Sequence, residues 1–245
     1  KIKREIDAKE KLLIQQSKMA EIGNMVAAIA HQWKQPLNVI AILAQNLGDA
    51  YEYNELSKEK MDNFQKDLRK QIKFMSGTMD DFRNFFKPSK EKRRFDLKKS
   101  IEEIYALISV QFVGKKIETD IRGDEVSVFG YPNEFKQVAL NILNNARETI
   151  IEKSIPFGRI DIEVGVEGGF GVCIFSDNGG GIPAELLPDK LFLPYVSTKG
   201  EQGTGIGLSM TKSIMEDSMN GSIEARNIEG GAQFILKLPL YKEDV

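Results

Sequence analysis

The segment AHQWKQPL contains the only histidine of the 245-residue chain, His31, and its only tryptophan, Trp33. A neutral imidazole has a reference pKa of about 6.5, so a ring nitrogen carries an available lone pair at neutral pH. Such a nitrogen can attack phosphorus, and Lys34, one helical turn later, could offset the charge that develops. A plain surface histidine is the alternative interpretation. The choice depends on whether the same chain binds a phosphoryl donor.

Two polar segments in the second half of the chain could contribute to a nucleotide site. Asn141 and Asn145 are one turn apart on a predicted helix and offer neutral amide oxygens, which Mg²⁺ accepts as ligands. Asp177 follows an apolar strand and opens the glycine-rich turn SDNGGGIP, where its carboxylate could accept a hydrogen bond from the adenine amine. Solvated asparagines and an ordinary strand-ending turn are the alternative interpretations.

A third segment, KGEQGTGIGLSM, places Gly203, Gly205 and Gly207 at alternate positions before a helical run. A glycine-rich turn that opens a helix presents backbone N–H groups to phosphate. Thr198 and Lys199 precede it in what we expect to be a mobile lid. The segment lacks the context of the dinucleotide-binding and P-loop fingerprints. A flexible gap-closing loop remains the alternative.

Two long helices are predicted to carry His31. Apolar residues recur at steps of three and four in two runs, Ile22, Val26, Ile29, Trp33, Leu37, Ile40, Ala44, Leu47 and Tyr51, then Met61, Phe64, Leu68, Ile72, Met75, Met79, Phe82 and Phe86. A short connection over Tyr53 to Ser57, with Ser57 as N-cap of the second helix, predicts an antiparallel hairpin. Seams this apolar predict a dimeric four-helix bundle.

The acceptor segment has a predicted orientation on the first helix. His31 lies about 200° around the helix from the seam residues Ile29 and Trp33, so we expect it to face solvent. Pro36 removes a backbone donor and is expected to bend or loosen the helix there.

Beyond this hairpin the sequence changes character. We predict a helical domain over residues 1–87, a linker over 88–93 and a second domain over 94–245, in which short β-rich runs alternate with helices. This order predicts a mixed sheet covered by helices on one face. The predicted helices are Leu97 to Ser109 behind an Asp96 cap, Pro132 to about Glu152, and about Gly205 to Ser218.

Composition narrows the possibilities further. No run of 18 apolar residues is present, so no membrane span is expected, and the single Cys173 is expected in the core. Through Arg93 the chain has 18 Lys and Arg against 13 Asp and Glu, and afterwards 16 against 23. The basic residues alternate with acids and form no aromatic-laced patch, so we expect no nucleic acid partner. The chain starts without Met in a helical pattern, so we expect an upstream sensor domain to be missing from this fragment.

The order and spacing of these motifs closely resemble the sensor histidine kinases of two-component systems. Asn141-x-x-x-Asn145-Ala146, Asp177-x-Gly179-x-Gly181, Phe192-x-Pro194-Tyr195 and Gly203-x-Gly205-x-Gly207-Leu208 resemble the N, G1, F and G2 boxes of that family, and AxxAHQWKQPL resembles its phospho-acceptor box. The resemblance covers essentially the whole chain. It implies an all-α antiparallel hairpin, dimeric as a four-helix bundle, followed by an α/β sandwich ATP-binding domain of the gyrase and histidine-kinase type.

The resemblance also implies roles. ATP and Mg²⁺ would be bound in the second domain, and His31 would be phosphorylated before the phosphoryl group passes to an aspartate of a response-regulator receiver domain. Family members usually act at the cytoplasmic side of a membrane. Asn145 would ligate Mg²⁺ with support from Asn141. Asp177 would bind the adenine amine, and Gly179 and Gly181 would let the base approach. Near the phosphates, the end of the lid would be shaped by Gly203, Gly205 and Gly207, and the lid itself would contain Thr198 and Lys199.

Three departures or absences bear on activity. Gyrase-like ATPases would have a glutamate, which activates water, where Asn141 stands. The absence of this glutamate favours transfer of the phosphoryl group to a side chain over hydrolysis of ATP. Gln32 follows His31 where many members have an acid, and we hypothesise that it holds the ring tautomer without taking the proton. Gln35 stands where members with phosphatase activity have Thr or Asn, and could position water. A nucleotide-sensing coiled-coil scaffold without kinase activity is therefore the alternative function.

Overall fold

The chain folds into a helical hairpin followed by an α/β domain. A computed structural model describes residues 32–87, 89, 91–197 and 205–241, together with positions 23, 26, 29 and 30. None of the described helices has both the length and the apolar character required to cross a bilayer.

The hairpin consists of helix α1, described without interruption over residues 32–52, and helix α2, Lys58–Phe86. The Ser57 hydroxyl accepts a hydrogen bond from the backbone N–H of Lys60 at 3.1 Å, which confirms the predicted N-cap. Asn54 adopts a left-handed backbone conformation (φ 58°) in the turn, and a Lys60–Glu55 ion pair of 2.9 Å closes it. The helix continues through Pro36, which is buried.

A single hairpin buries only part of the predicted seams. From residue 36 onward, the described positions that are buried or half-buried form one stripe on each helix: Pro36, Ile40, Leu43, Leu47 and Ala50 on α1, and Met61, Phe64, Leu68, Gln71, Met75 and Thr78 on α2. Ala44 of the predicted seams is instead exposed. So are five larger seam residues, with exposed fractions of 50% for Val26, 51% for Leu37, 75% for Tyr51, 51% for Ile72 and 42% for Met79. The physical reason is that an antiparallel pair buries a single stripe per helix, and each helix here carries a wider apolar face.

The second domain alternates strands and helices within the described residues. Its strands are β1 (Arg93–Asp96), β2 (Ile117–Gly123), β3 (Ser127–Gly130), β4 (Gly158–Glu167), β5 (Phe170–Asp177), β6 (Ser222–Ile228) and β7 (Gly231–Pro239). Its helices are α3 (Leu97–Val113), α4 (Pro132–Glu152) and α5 (Gly207–Ser213), with 3₁₀ turns at Ala184–Leu186 and Lys190–Phe192 and a π-helical turn at Ile214–Ser218.

The main sheet has the strand order β2-β4-β5-β7-β6, in which only β2 and β4 pair in parallel. Along β4 buried and exposed residues alternate, as expected for a sheet with helices on one face. The core between sheet and helices contains fully buried Phe112, Phe135 and Ile160. The predicted mixed sheet is therefore confirmed. Cys173 is buried in β5, and burial raises the pKa of its thiol.

The small sheet β1-β3 was not predicted. β1 begins at Arg93, inside the predicted linker, and pairs antiparallel with β3. The predicted Asp96 cap is confirmed, because its carboxylate accepts the backbone N–H of Lys99 at 2.7 Å. Pro132 is the first residue of α4, also as predicted.

The segment between the hairpin and β1 caps helix α4. The Ser89 hydroxyl accepts the backbone N–H of Asn133 at 3.3 Å, and the Glu134 carboxylate accepts the N–H of Ser89 at 3.0 Å. The Asn133 side chain donates to the Lys87 carbonyl at 2.7 Å. We call these four residues the linker cap. They give α4 a capping box whose serine lies 44 residues earlier in the chain.

Candidate nucleotide site and acceptor helix

The acceptor segment lies on α1, beside α3. His31 lies outside the described residues, so its predicted exposure stays a prediction. Lys34 and Gln35 are exposed on α1, whereas Gln32 is buried, with an exposed fraction of 9%. The side-chain amide of Gln32 donates to the carbonyl oxygens of Ala106 and Leu107 in α3, at 3.2 and 3.0 Å.

This contact gives Gln32 a partner other than the one we expected. Its Nε2 is engaged by the second domain, which leaves Oε1 as the atom that could accept a hydrogen bond from an imidazole N–H. The hypothesis that Gln32 holds the His31 tautomer therefore stays a prediction and is restricted to Oε1. The contact also fixes the acceptor helix against the domain that carries the candidate nucleotide site.

Asp177 ends β5 and borders a small gap between helix α4 and the sheet, together with Ile142, Ala146, Ile160 and Phe234. Its Oδ1 accepts backbone N–H groups from Gly179 at 2.8 Å and from Ala232 at 3.4 Å. Both of these bonds use Oδ1, so Oδ2 can accept from a ligand. Burial raises the pKa of this carboxyl group, against the opposing effects of the two backbone bonds and of Lys153.

The turn after Asp177 depends on glycine for geometric reasons. A Cβ at Gly179 would lie 3.0 Å from Asp177 Oδ1 and 3.2 Å from Thr149 Cγ2, so a side chain there would fill the space beside the carboxylate. Gly181 has φ +78°, a conformation that favours glycine. Asn227 of β6 holds the turn, since its side chain accepts from Ile182 N–H at 2.7 Å and donates to Ile182 O at 2.8 Å.

The alternative interpretation, that the two asparagines of helix α4 are solvated, does not hold for Asn141. Asn141 is buried, and its Nδ2 donates to the hydroxyl of Thr211 in α5 at 2.8 Å. Asn145 is half-buried one turn later. A Cβ at Gly207 would lie 2.5 Å from Asn141 Oδ1, so the α4 asparagine and the start of α5 are in direct contact. The structure thus brings the N-box and G2-box residues together.

The glycine-rich segment before α5 is described only at its end. Gly205 has φ +64°, and its carbonyl oxygen accepts the backbone N–H of Tyr195 at 2.9 Å. This bond therefore links the residue before the predicted lid segment to the glycine that follows it. Thr198, Lys199 and Gly203 lie outside the described residues, so their predicted roles stay predictions.

The amide oxygens on α4 are ligands of a type that suits a magnesium ion bound with its nucleotide. Among the described residues, no cluster of three or more His, Cys, Asp or Glu side chains could hold a metal. Mg²⁺ commonly takes one or two protein ligands and completes its octahedron with water and phosphate oxygens. A neutral amide oxygen from Asn145 suits such a site.

Sequence reasoning missed Thr211, Asn227 and the linker cap. Thr211 bonds to Asn141 from 70 residues away, and Asn227 bonds to the turn after Asp177 from 45 residues away. Nothing in local spacing indicates such pairings. For the linker cap the available signal was Ser89, a capping residue type beside a proline, but its partner Asn133 lies 44 residues later.

Taken together, fold and site define a two-domain protein with an α/β nucleotide-binding domain behind a helical hairpin. Residues 130–242 match the family of histidine kinase-, DNA gyrase B-, and HSP90-like ATPases. The nucleotide-free catalytic domain of histidine kinase ThkA is 32% identical, with a TM-score of 0.55 over 61% of this chain and 96% of that one. The chain belongs to the sensor histidine kinases, of which it contains the hairpin and the ATP-binding domain.

Longer relatives extend the comparison to the hairpin. The two-component sensor PprA of Pseudomonas aeruginosa is 30% identical over 235 residues, which are 93% of this chain and 25% of PprA. ThkA in complex with the response regulator protein TrrA is 22% identical and shares the fold over 98% of this chain and 66% of that one, with a TM-score of 0.52. The chain spans well under two thirds of the length of its curated relatives.

Proposed function

We propose that this chain is an ATP-dependent protein-histidine kinase that phosphorylates its own His31 and passes the phosphoryl group to an aspartate of a response regulator. The observation that carries the proposal is that one domain contains Asp177 at the end of β5 and the contacting pair Asn141 and Gly207, and that the acceptor helix packs beside this domain at Gln32. ThkA, which forms a complex with a response regulator protein, supports the choice of partner.

The site residues of the second domain have separable roles in binding ATP. Asp177 Oδ2 accepts from the adenine amine, while Gly179 and Gly181 leave room for the base beside it. Asn145 ligates Mg²⁺, which neutralises phosphate charge when it is bound, and Asn141 supports it. Gly203, Gly205 and Gly207 shape the segment over the phosphates, with Thr198 and Lys199 as lid contacts.

His31 acts as the nucleophile. Its neutral imidazole nitrogen forms a bond to the γ-phosphorus of ATP as the bond from that phosphorus to the β,γ-bridging oxygen breaks, and ADP leaves. The ring proton passes to water, because the Gln32 amide cannot take it. Lys34, exposed on the same helix, offsets the charge on the transferring group.

We assign Gln35 to dephosphorylation of the response regulator. It is exposed one turn after His31, where its amide can orient a water molecule for hydrolysis of the phosphorylated regulator. We expect Gln35→Ala to slow dephosphorylation of the cognate regulator. An unchanged rate would remove this role from the proposal.

The exposed apolar stripe of the hairpin supports a homodimer. Val26, Leu37 and Tyr51 on α1 and Ile72 and Met79 on α2 are apolar but at least 42% exposed, and a second hairpin would cover them in a four-helix bundle.

We propose residues 1–87 as the dimerisation and acceptor domain, 88–93 as linker and 94–245 as the catalytic domain. We place this core in the cytoplasm, where ATP is supplied, behind an upstream sensor domain.

One experiment separates three functions. The chain is incubated with γ-labelled ATP and Mg²⁺, and both bound label and free phosphate are measured in wild type, His31→Ala and the control Asn38→Ala, an exposed position of α1. Acid-labile label in wild type and the control but not in His31→Ala supports the kinase. Phosphate release without label supports an ATPase, and the absence of both supports a nucleotide-sensing scaffold.

A further inference from the structure

Thr211 is a buried hydroxyl between the two nucleotide-site helices. It is wholly inaccessible in α5, with an exposed fraction of 0%. Its Oγ1 donates to the Gly207 carbonyl oxygen at 3.0 Å and accepts from Asn141 Nδ2 at 2.8 Å. A hydroxyl has a single proton to donate. Since that proton goes to a carbonyl oxygen, which can only accept, the Asn141 side chain has to present its NH₂ group to Thr211.

This arrangement fixes which end of the Asn141 amide faces the site. With Nδ2 held by Thr211, Oδ1 lies against the start of α5, where a Cβ at Gly207 would be 2.5 Å from it. An amide oxygen in this position can serve a cation or a cation-bound water, whereas a flipped amide would present N–H donors that suit phosphate. The orientation of the amide therefore favours contact of Asn141 with the cation or its bound water over contact with phosphate.

We propose that Thr211 is a positioning residue of the nucleotide site, whose hydroxyl orients Asn141 so that its oxygen serves the magnesium ion. This inference rests on the proposed function, since it assumes that the domain binds ATP with Mg²⁺. Asn141 then acts on the metal, and Thr211 acts only through Asn141. Second-sphere partners of this kind typically change metal affinity by about 10- to 100-fold.

The test compares Thr211→Val, which keeps the shape and removes the hydroxyl, with Thr211→Ser, which keeps the hydroxyl. Binding of a non-hydrolysable ATP analogue is measured by calorimetry with Mg²⁺ and with a chelator, and thermal unfolding of the nucleotide-free chain checks the fold. We expect the gain in affinity from Mg²⁺ to fall about tenfold in Thr211→Val and to be retained in Thr211→Ser. An unchanged gain in Thr211→Val, or an equal loss in both variants, would overturn the proposal.

A second measurement needs no variant of Thr211. In the wild-type chain, the side-chain amide protons of Asn141, assigned by their loss in Asn141→Asp, should exchange slowly with solvent because one is bonded to Thr211. Fast exchange in the folded chain would overturn the proposal. If the wild-type chain binds no ATP analogue at all, the proposed function itself fails, and slow exchange would then report only a structural bond.

Discussion

Asp177 is an acidic residue held where folding disfavours its charge. Burial raises its pKa in the folded chain above the value in the unfolded chain, against opposing contributions from two backbone hydrogen bonds and Lys153. Between these two pKa values the folded state binds more protons, so stability falls as pH rises through the raised pKa. The carboxylate is therefore kept at a cost in stability, which is reasonable if its charge serves a ligand.

We predict that Asp177→Asn makes the nucleotide-free chain more stable at neutral pH. Asparagine retains an oxygen for the N–H groups of Gly179 and Ala232 and removes the buried charge. Thermal unfolding should show a higher midpoint than wild type at pH 7, with the difference shrinking as pH is lowered through the raised pKa. Asp124→Asn, an exposed control, should show no such pH-dependent gain. A midpoint below wild type at every pH would contradict this account.

The same substitution should change the preference among nucleotides. The NH₂ group that Asp177→Asn introduces would face the adenine amine, so two donors would meet where a donor and acceptor met before. Leaving such a bond unmade costs about 1–3 kcal/mol, or roughly 5- to 150-fold in affinity. We expect ATP to bind more weakly in a calorimetric titration, and inosine triphosphate, whose 6-oxo group accepts, to lose less. Equal losses for both nucleotides would argue against adenine recognition by Asp177.

Gln32 is the residue at which the structure adds most to the sequence. We predict that Gln32→Glu, which places a carboxylate opposite the carbonyl oxygens of Ala106 and Leu107, releases α1 from α3. Hydrogen exchange of the α3 peptide should quicken, and autophosphorylation should be kept or raised. Gln32→Leu should lower autophosphorylation, because it removes the tautomer-holding oxygen. Asn38→Asp, exposed on the same helix, is the control. Equal autophosphorylation rates in wild type and both Gln32 variants would contradict the hypothesis.

At the scale of elements, the linker cap connects the hairpin to the helix that carries both asparagines. The residue before α4, Tyr131, makes no side-chain cap bond of its own, so Ser89 supplies the cap from the linker. We predict that Ser89→Ala destabilises the first turn of α4 by about 0.5–2 kcal/mol. Hydrogen exchange at residues 133–136 measures this directly.

A matched control is available for the linker cap. Ser109→Ala removes a hydroxyl that bonds within α3, to Ala106 O at 3.2 Å, and should leave exchange at 133–136 unchanged. If Ser89→Ala has no more effect than Ser109→Ala, the linker does not support α4.

Local patterns predicted most of the elements because their signals are local. Asp96, Ser57 and Pro132 stand beside the helices they begin. Six of the described strands overlap β-rich runs of the sequence: IETDI, VSVFG, RIDIEVGV, FGVCIFS, GSIEARN and AQFILKLPL. β1 was missed because its four residues, RRFD, are too short to show a period and pair with β3 about 30 residues later. The exposure of several seam residues in one hairpin has another origin, since the apolar face of each helix is wider than one stripe. Sequence alone does not say which part of that face meets the other helix.

The candidate site divides in the same way. The motifs predicted Asp177, Gly205 and Gly207, and the structure places Gly207 against Asn141. The partners Thr211 and Asn227 could not be predicted, because their hydrogen bonds arise from packing of distant elements. The alternative of a solvated Asn141 does not hold, because the start of α5 covers that shoulder of α4.

For the whole molecule, the exposed apolar stripe predicts self-association. We expect Ile72→Lys to shift the chain from dimer to monomer in sedimentation velocity, because a buried lysine at the centre of a four-helix bundle would be strongly unfavourable. Gln65→Lys, an exposed position of the same helix, should leave the dimer intact. A dimer that survives Ile72→Lys would show that another surface mediates association.

The most direct test of the central claim is to locate the transferred phosphoryl group. After incubation with ATP and Mg²⁺, the chain is digested at neutral pH, where phosphohistidine persists, and its peptides are analysed by mass spectrometry. We predict a phosphorylated peptide that contains His31 in the wild type and its loss in Asn145→Ala, which disables the nucleotide site in the other domain. Phosphate on a different residue, or an unphosphorylated His31 peptide in a chain that binds ATP, would contradict the account.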